Sequence, residues 1–402
     1  MTQLLPSQGD RQGGTVKIRL ERDVLADAVA WAARSLPNRP SVPILAGLLI
    51  RADAKDVVLS SFDYETSAQI SVRAEVADEG EVLVSGKLLA DISRSLPNKP
   101  VDISADDSRM ELVCGSARFT LQTLPVAEYP ALPTMPESAG RIASADFAEA
   151  VSQVVVAAGR DELLPVFTGV RMEIDGDTIS LLATDRYRMA LKEITWQPDS
   201  HQAAGAALVP AKVLADTAKS MTSGEAVMVS LAGSGAGTDG IIGFSGSGTG
   251  GVRETTTRLL DGDFPKVRHL MNIQPALTVR ADTAELIAAA KRVALVAERN
   301  TSLRMMIGDD SVVLEAATGD QAQASEAISA EVENLSGGEP PITAAGFNPA
   351  YLLDALTVLD APFAHFSFTA PGKPCLITGL SELDGEQLLD YRHVIMLMRL
   401  PG

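Results

Sequence analysis

The stretch opening at Ser144 places Phe147, Val151, Val154 and Val155 at i, i+4, i+7 and i+8, one face of a helix. Two other stretches read alike after a polar start: ERDVLADAVAWAARSLP from Glu21 and RADTAELIAAAKRVALVAER from Arg280. Ser144 and Asp282 are placed as N-caps, where a side-chain oxygen can accept from the free N–H groups of the first turn. Behind each helix come two β-rich runs split by a short polar turn: ILAGLLIRADAKDVVLSSFD, VFTGVRMEIDGDTISLLATD and LRMMIGDDSVVLEAATGD. That is a hairpin signal. A second helix follows in VLVSGKLLADISRSLP, ALVPAKVLADTAKSM and ITAAGFNPAYLLDALTVL, the last with Asn348 as cap and Pro349 at its first position. More strands close each unit.

One unit therefore occurs three times at a spacing of roughly 120–135 residues. The pattern predicts an α+β chain of three tandem domains, each with two helices packed on antiparallel sheets of about eight strands. The expected limits are 15–136, 137–272 and 273–402, with linkers near Pro133–Gly140 and Asn272–Pro275. Residues 1–14 are polar and Gly-rich without an apolar segment, which fits a disordered leader and not a secretory signal. No apolar run reaches the ~20 residues of a membrane span. Cys114 and Cys375 lie in strand-like sequence, too far apart for a disulfide framework, and are expected as buried thiols in a reducing, cytoplasmic setting.

Charge changes the picture. The chain carries 34 Lys and Arg against 52 Asp and Glu, a net −18, which by itself argues against nucleic acid. The cations nevertheless gather on the outward faces of the helices, among them Arg39, Arg94, Arg160, Lys212, Lys291 and Arg299, while the acids crowd into turns such as Asp106-Asp107. A single such cation is ordinarily a solvated helix residue. Repetition in three units argues for a basic lane that meets phosphates without reading bases.

Candidate chemistry is sparse. Gly235-Ala-Gly237-Thr-Asp-Gly240 fits a dinucleotide fingerprint only formally, because a strand follows it where a helix is required. It reads as a hairpin loop, as does the Gly/Ser-rich stretch running to Gly251. The four histidines are scattered, and neither a nucleophile with a matched base nor a metal-ligand spacing occurs. No cofactor is expected. Two stretches are unusual for a plain scaffold: Ala183-Thr-Asp-Arg-Tyr-Arg-Met-Ala190 and the Met-rich end HVIMLMRLPG, adaptable surface of the kind that takes peptides.

RPSVPILAGLLI, SSFDYE, VFTGVRME, LLATDRYRMAL, ALVPAK, RLLDGDFPKVR, AGFNPAYLLDAL and VIMLMRL, in this order, closely resemble the bacterial DNA polymerase III beta subunit family, the sliding clamps. The resemblance implies a non-catalytic, head-to-tail homodimer whose six domains form a ring on double-stranded DNA. Its partners would be the polymerase alpha subunit, the clamp loader and other proteins bearing a clamp-binding motif. A peptide cleft would be built from Phe167, Thr184, Arg186, Tyr187, Arg188 and Met189, with Pro265 and Leu270. Val394, Ile395, Met396, Leu397, Met398, Arg399 and Leu400 would complete it. Phe119 would meet Leu295 and Val296 across the dimer interface. DNA contact would fall to Arg39 and Arg160, with Arg94, Lys212 and Lys291 adding steering. Arg186 stands where this family often has Gly, His269 where it often has Arg, and Leu397 where it often has Pro. The competing readings are a transferase using the Gly-rich loops and a peptide-binding repeat scaffold without DNA.

Overall fold

Every third of the chain runs through one order: a strand, a helix, five strands, a second helix and three strands. A computed structural model describes residues 15–200, 203–231, 240–248, 250–298, 301–318 and 321–400. The first repeat is β1 (Val16–Leu20), α1 (Arg22–Ala32), β2 (Gly47–Asp53), β3 (Asp56–Phe62), β4 (Thr66–Arg73), β5 (Glu75–Asp78), β6 (Gly80–Ser85), α2 (Gly86–Ser95), β7 (Val101–Ala105), β8 (Arg109–Cys114) and β9 (Ala117–Leu124). The second is β10 (Ser138–Ala143), α3 (Ser144–Val155), β11 (Gly169–Asp175), β12 (Thr178–Thr184), β13 (Arg188–Thr195), β14 (Gln197–Pro198), β15 (Ala204–Pro210), α4 (Ala211–Ser220), β16 (Ala226–Leu231), β17 (Ile241–Gly248) and β18 (Gly251–Arg258). The third is β19 (Leu277–Asp282), α5 (Thr283–Val293), β20 (Leu303–Ile307), β21 (Ser311–Thr318), β22 (Ala322–Ser329), β23 (Glu331–Asn334), β24 (Ala344–Phe347), α6 (Pro349–Thr357), β25 (Phe363–Phe368), β26 (Cys375–Leu380) and β27 (Gln387–Ile395).

Among the described residues each repeat thus has nine strands, one more than the pattern predicts. The extra ones are β5, β14 and β23, short, polar and each at the edge of its sheet. Such edges carry little apolar alternation because one side faces water, so periodicity misses them.

The chain forms two compact bodies, and the middle repeat contributes strands to both. In the first body a fourteen-stranded sheet runs β14-β10-β16-β17-β18-β4-β3-β2-β6-β9-β8-β7-β1-β5. Here the repeats join where β18 pairs antiparallel with β4, Gly251 opposite Val72 through Thr257 opposite Thr66. Helix α1 buries Leu25, Ala28, Val29 and Ala32 and packs on α2, β3 and β4. Buried Arg253 lies against the Trp31 ring at 5.4 Å, bonds Asp27 at 2.6 Å and donates to the Ser220 carbonyl, so its charge is paired although its Nε has no hydrogen-bond partner among the described residues.

The second body holds a nine-stranded sheet, β15-β11-β12-β13-β27-β26-β25-β19-β23, and a four-stranded one, β22-β21-β20-β24. The equivalent joint recurs as β13 with β27, Arg188 opposite Ile395 and Lys192 opposite Tyr391. Helices α5 and α6 pack on each other, and Phe347, Phe366 and Phe368 form a buried ring cluster.

Caps decide two helix starts. Asp282 accepts from the Glu285 N–H, and Asn348 accepts from Ala350 and Tyr351. Ser144 does not cap: it is the first residue of α3, and its hydroxyl has no hydrogen-bond partner among the described residues. Its backbone N–H donates instead to Glu225. Both cysteines are buried, as their strand context implies. Residues 1–14 and Arg299 lie outside the described residues, as does most of the first Gly-rich stretch. The second Gly-rich stretch is a tight hairpin, Gly248 opposite Gly251, with Gly250 at φ +86°.

Candidate functional site

The turn between β12 and β13 is held by its own side chains. Asp185 accepts from the N–H groups of Tyr187 and Arg188, both at 3.0 Å, and the Thr184 hydroxyl accepts from the Arg186 N–H at 3.1 Å. These bonds close Asx and Ser/Thr turns that bend the chain within three residues. They leave Arg186 at φ +81°, one of four described non-glycine residues with positive φ. That conformation costs about 1 kcal/mol for a residue with a Cβ.

The C-terminal segment runs alongside. Met189 pairs with Val394, and the Met396 N–H donates to the Tyr187 carbonyl at 2.8 Å. Beyond it Met398 bridges to Gly346 on β24, where a Cβ would meet the Met398 carbonyl oxygen at 2.9 Å. Glycine is required for so close an approach. The structure therefore brings the 184–189 and 394–400 stretches together, although they are two hundred residues apart in sequence.

Their side chains divide in depth. Met189 and Val394 sink into a buried cluster with Leu182, Leu191, Leu208, Phe264, Met271 and Leu376, on which Leu270 packs. Thr184 and Ile395 are also buried. Arg186, Tyr187, Met396 and Arg399 stay exposed, with Tyr187 at 55%. Phe167, Leu397, Met398 and Leu400 are half-buried.

Phe167, Arg186, Tyr187 and Arg188 line a cavity of about 350 Å³. Leu164, Tyr351 and Asp354 line it too, and so do Arg160 and Asp161. Arg188 bonds Asp185 at 3.1 Å and Asp354 at 2.6 Å and stacks on Tyr351 at 4.3 Å. Burial, and then the Asp185 carboxylate, raise the Tyr351 phenol above its ordinary pKa. Pro265 faces elsewhere. It lines a second, larger cavity of about 800 Å³ with Leu182, Phe264 and His269, rimmed by ion pairs from Arg268 to Glu173 and Glu193.

Sequence reasoning missed Tyr351, Asp354 and Asp185. The available signal was N-P-A-Y: a cap followed by an aromatic in the first turn of α6, a position that seldom faces a core.

Behind the site, Lys192 is nearly buried between Glu149 at 2.9 Å and Asp390 at 2.7 Å. Burial works against its ammonium, but the two carboxylate hydrogen bonds prevail and raise its pKa. Tyr391 bonds His393 at 2.8 Å, and burial followed by the nearby Arg188 charge pushes that imidazole down to about 3.

The five cations are all exposed, but only Arg94 on α2, Lys212 on α4 and Lys291 on α5 lie on helices. Arg39 and Arg160 sit in loops beyond the ends of α1 and α3, contrary to the helix-face expectation, because each helix stops several residues before them. Arg94 pairs with Asp91, whereas Arg39, Arg160, Lys212 and Lys291 have no carboxylate partner among the described residues. Leu295 is 83% exposed, beside half-buried Val296; Phe119 is half-buried on β9.

Three family models match the chain in order: DNA polymerase III beta subunit N-terminal domain over residues 16–133, central domain over 141–266 and C-terminal domain over 272–396. The beta sliding clamp of Streptomyces coelicolor is 54% identical over 387 residues, 96% of this chain and 100% of that one. The beta sliding clamp homolog GriR of Streptomyces muensis is 38% identical, covering 96% and 99%. A Pseudomonas aeruginosa DnaN sliding clamp, solved bound to griselimycin, superposes with a TM-score of 0.84 at 24% identity, over 96% of this chain and 100% of that one. The Bacillus subtilis clamp gives 0.84 at 22%, with the same coverage.

Proposed function

Because this chain belongs to the DNA polymerase III beta subunit family, the sliding clamps, we propose that two copies close head to tail around duplex DNA and hold the replicative polymerase there. The repeated joint carries the reading. The third strand after the first helix of one repeat pairs with the last strand of the next, as β4 with β18 and β13 with β27. By that rule β22 of the third repeat calls for β9 of a following first repeat. Among the described residues β22 pairs only with β21, and β9 over residues 117–122 pairs only with β8. Each has a free edge, and an unpaired edge is a template for another chain. A second copy supplies the missing partner, with Phe119 on β9 meeting Leu295 and Val296 beside β22.

In this reading the domains are 15–136, 137–272 and 273–402, and the protein is a non-catalytic processivity factor of the cytoplasm. Arg39 and Arg160 touch phosphates, with Arg94, Lys212 and Lys291 steering. Such contacts are sequence-independent and exchange quickly, so the ring slides. The 184–189 and 394–400 stretches dock peptides of the polymerase alpha subunit, the clamp loader and other clients. Retention on circular against linear DNA tests the proposal. A ring stays on a nicked circle and runs off a cut one; equal loss from both would exclude it, and a peptide scaffold would remain.

A further inference from the structure

We infer that Arg186 selects clients by an anionic group: the cavity beside it takes a carboxylate carried by the docked peptide. The inference rests on the reading of this cleft as a peptide site. Its starting point is a residue in the wrong conformation for its type. At φ +81° glycine would be unstrained, yet the chain keeps a long cationic side chain. That side chain does not support the fold through an ion pair, since no carboxylate partners it among the described residues. Its guanidinium lies 5.6 Å from the Phe167 ring and 5.8 Å from the Tyr187 ring, a bracket that limits where the charge can point without neutralising it.

The carboxylates of the cavity are already engaged. Asp185 and Asp354 bond Arg188, and Asp161 accepts from the Leu163 N–H. Arg160 lines the same space, also without a carboxylate partner among the described residues. Two guanidiniums without a carboxylate ion pair among the described residues therefore border about 350 Å³ walled by Phe167, Tyr187, Tyr351 and Leu164. Planar guanidiniums suit carboxylates, which they can bind through two parallel hydrogen bonds. A DNA phosphate suits the Arg186 side of the recess less well, whereas exposed Arg160 remains able to meet the backbone. A recess of side-chain size with aromatic walls fits an acidic residue beside an apolar anchor, whereas a duplex backbone meets cations on open faces.

The test uses the full-length protein and labelled peptides of the polymerase alpha subunit tail. They are synthesised with Glu or with Gln beside the apolar anchors, each with a free and an amidated C-terminus. Fluorescence anisotropy should give the Glu peptides about a 5-fold lower Kd than the Gln peptides, weakening with salt. Arg186→Gln and Arg186→Gly should bring that ratio to about 1. Discrimination that follows the free terminus and vanishes with Arg186→Gln also supports the inference, the terminal carboxylate being the group held. Equal binding of all peptides to the unaltered protein overturns it, as does a ratio that survives both substitutions. So does a loss of DNA retention in Arg186→Gln with the ratio intact, which would make Arg186 a phosphate contact. If no tail peptide binds the unaltered protein, the cleft reading itself fails.

Discussion

Arg188 carries its charge at 6% exposure because two carboxylates and an aromatic face surround it. Removing one partner of a buried pair strands the other, at a cost of about 3 kcal/mol. Arg188→Ala should therefore lower the stability of the second body by that order in urea unfolding; a loss under about 1 kcal/mol would mean that water already compensates Asp185. Two buried histidines set the acid response. His393 is pushed down to about 3 by burial and then by Arg188, and His365 to about 4 by burial and then by Arg280. The unfolded chain takes up these protons below its ordinary pKa of about 6.5 while the fold refuses them. Stability is thus full above that pH and falls by up to about 1.4 kcal/mol per pH unit per histidine toward pH 4. Melting curves between pH 7 and 4.5 should slope less steeply in a His365→Gln, His393→Gln double variant. Equal slopes would assign the acid loss to other groups.

At the level of elements, the site depends on how its pieces are pinned. Asn348 caps α6 and so sets Tyr351, the ring on which Arg188 stacks. Asn348→Ala should cost about 1 kcal/mol and weaken peptide binding together with stability. The tail is held less firmly, by the Met396 N–H on Tyr187 and the Met398 bridge to Gly346. Deleting Met398 to Gly402 should abolish binding of polymerase-tail peptides and leave the oligomeric state in solution unchanged. A truncated chain that bound them normally would place the cleft elsewhere. Gly346 shows why a motif such as AGFNPAY joins a turn requirement to a distant segment: the glycine serves the tail, and the Asn-Pro pair serves the helix.

For the whole molecule the balance of charge and edges is decisive. With a net charge of −18, duplex DNA is repelled from most of the surface, so binding relies on a few exposed cations and on topology. Loading on linear DNA should fall steeply with salt, while retention on closed circles should change little. Leu295, 83% exposed, contributes little to the single chain. In the proposed ring, Leu295→Lys should leave the single chain folded, by circular dichroism, but convert the dimer into a 42.2 kDa monomer in sedimentation. A variant that stayed dimeric would remove Leu295 from the interface.

Local pattern alone determined the threefold repeat, the six helices, the hairpins and two of three caps, because periodicity and capping are properties of neighbouring residues. The sliding-clamp resemblance also lay in short motifs whose order survives in one dimension. Ser144 looked like a cap and is not, since its helix begins one residue earlier, where the chain leaves β10. Edge strands β5, β14 and β23 escaped notice because their pattern is polar. Tertiary structure alone decided that residues 184–189 lie against 394–400 and that Pro265 faces a different cavity. It also decided that Asp185 and Asp354 pair with Arg188 while Arg186 has no carboxylate partner among the described residues. Each of these depends on strand pairing between segments far apart in the chain, which no local spacing encodes.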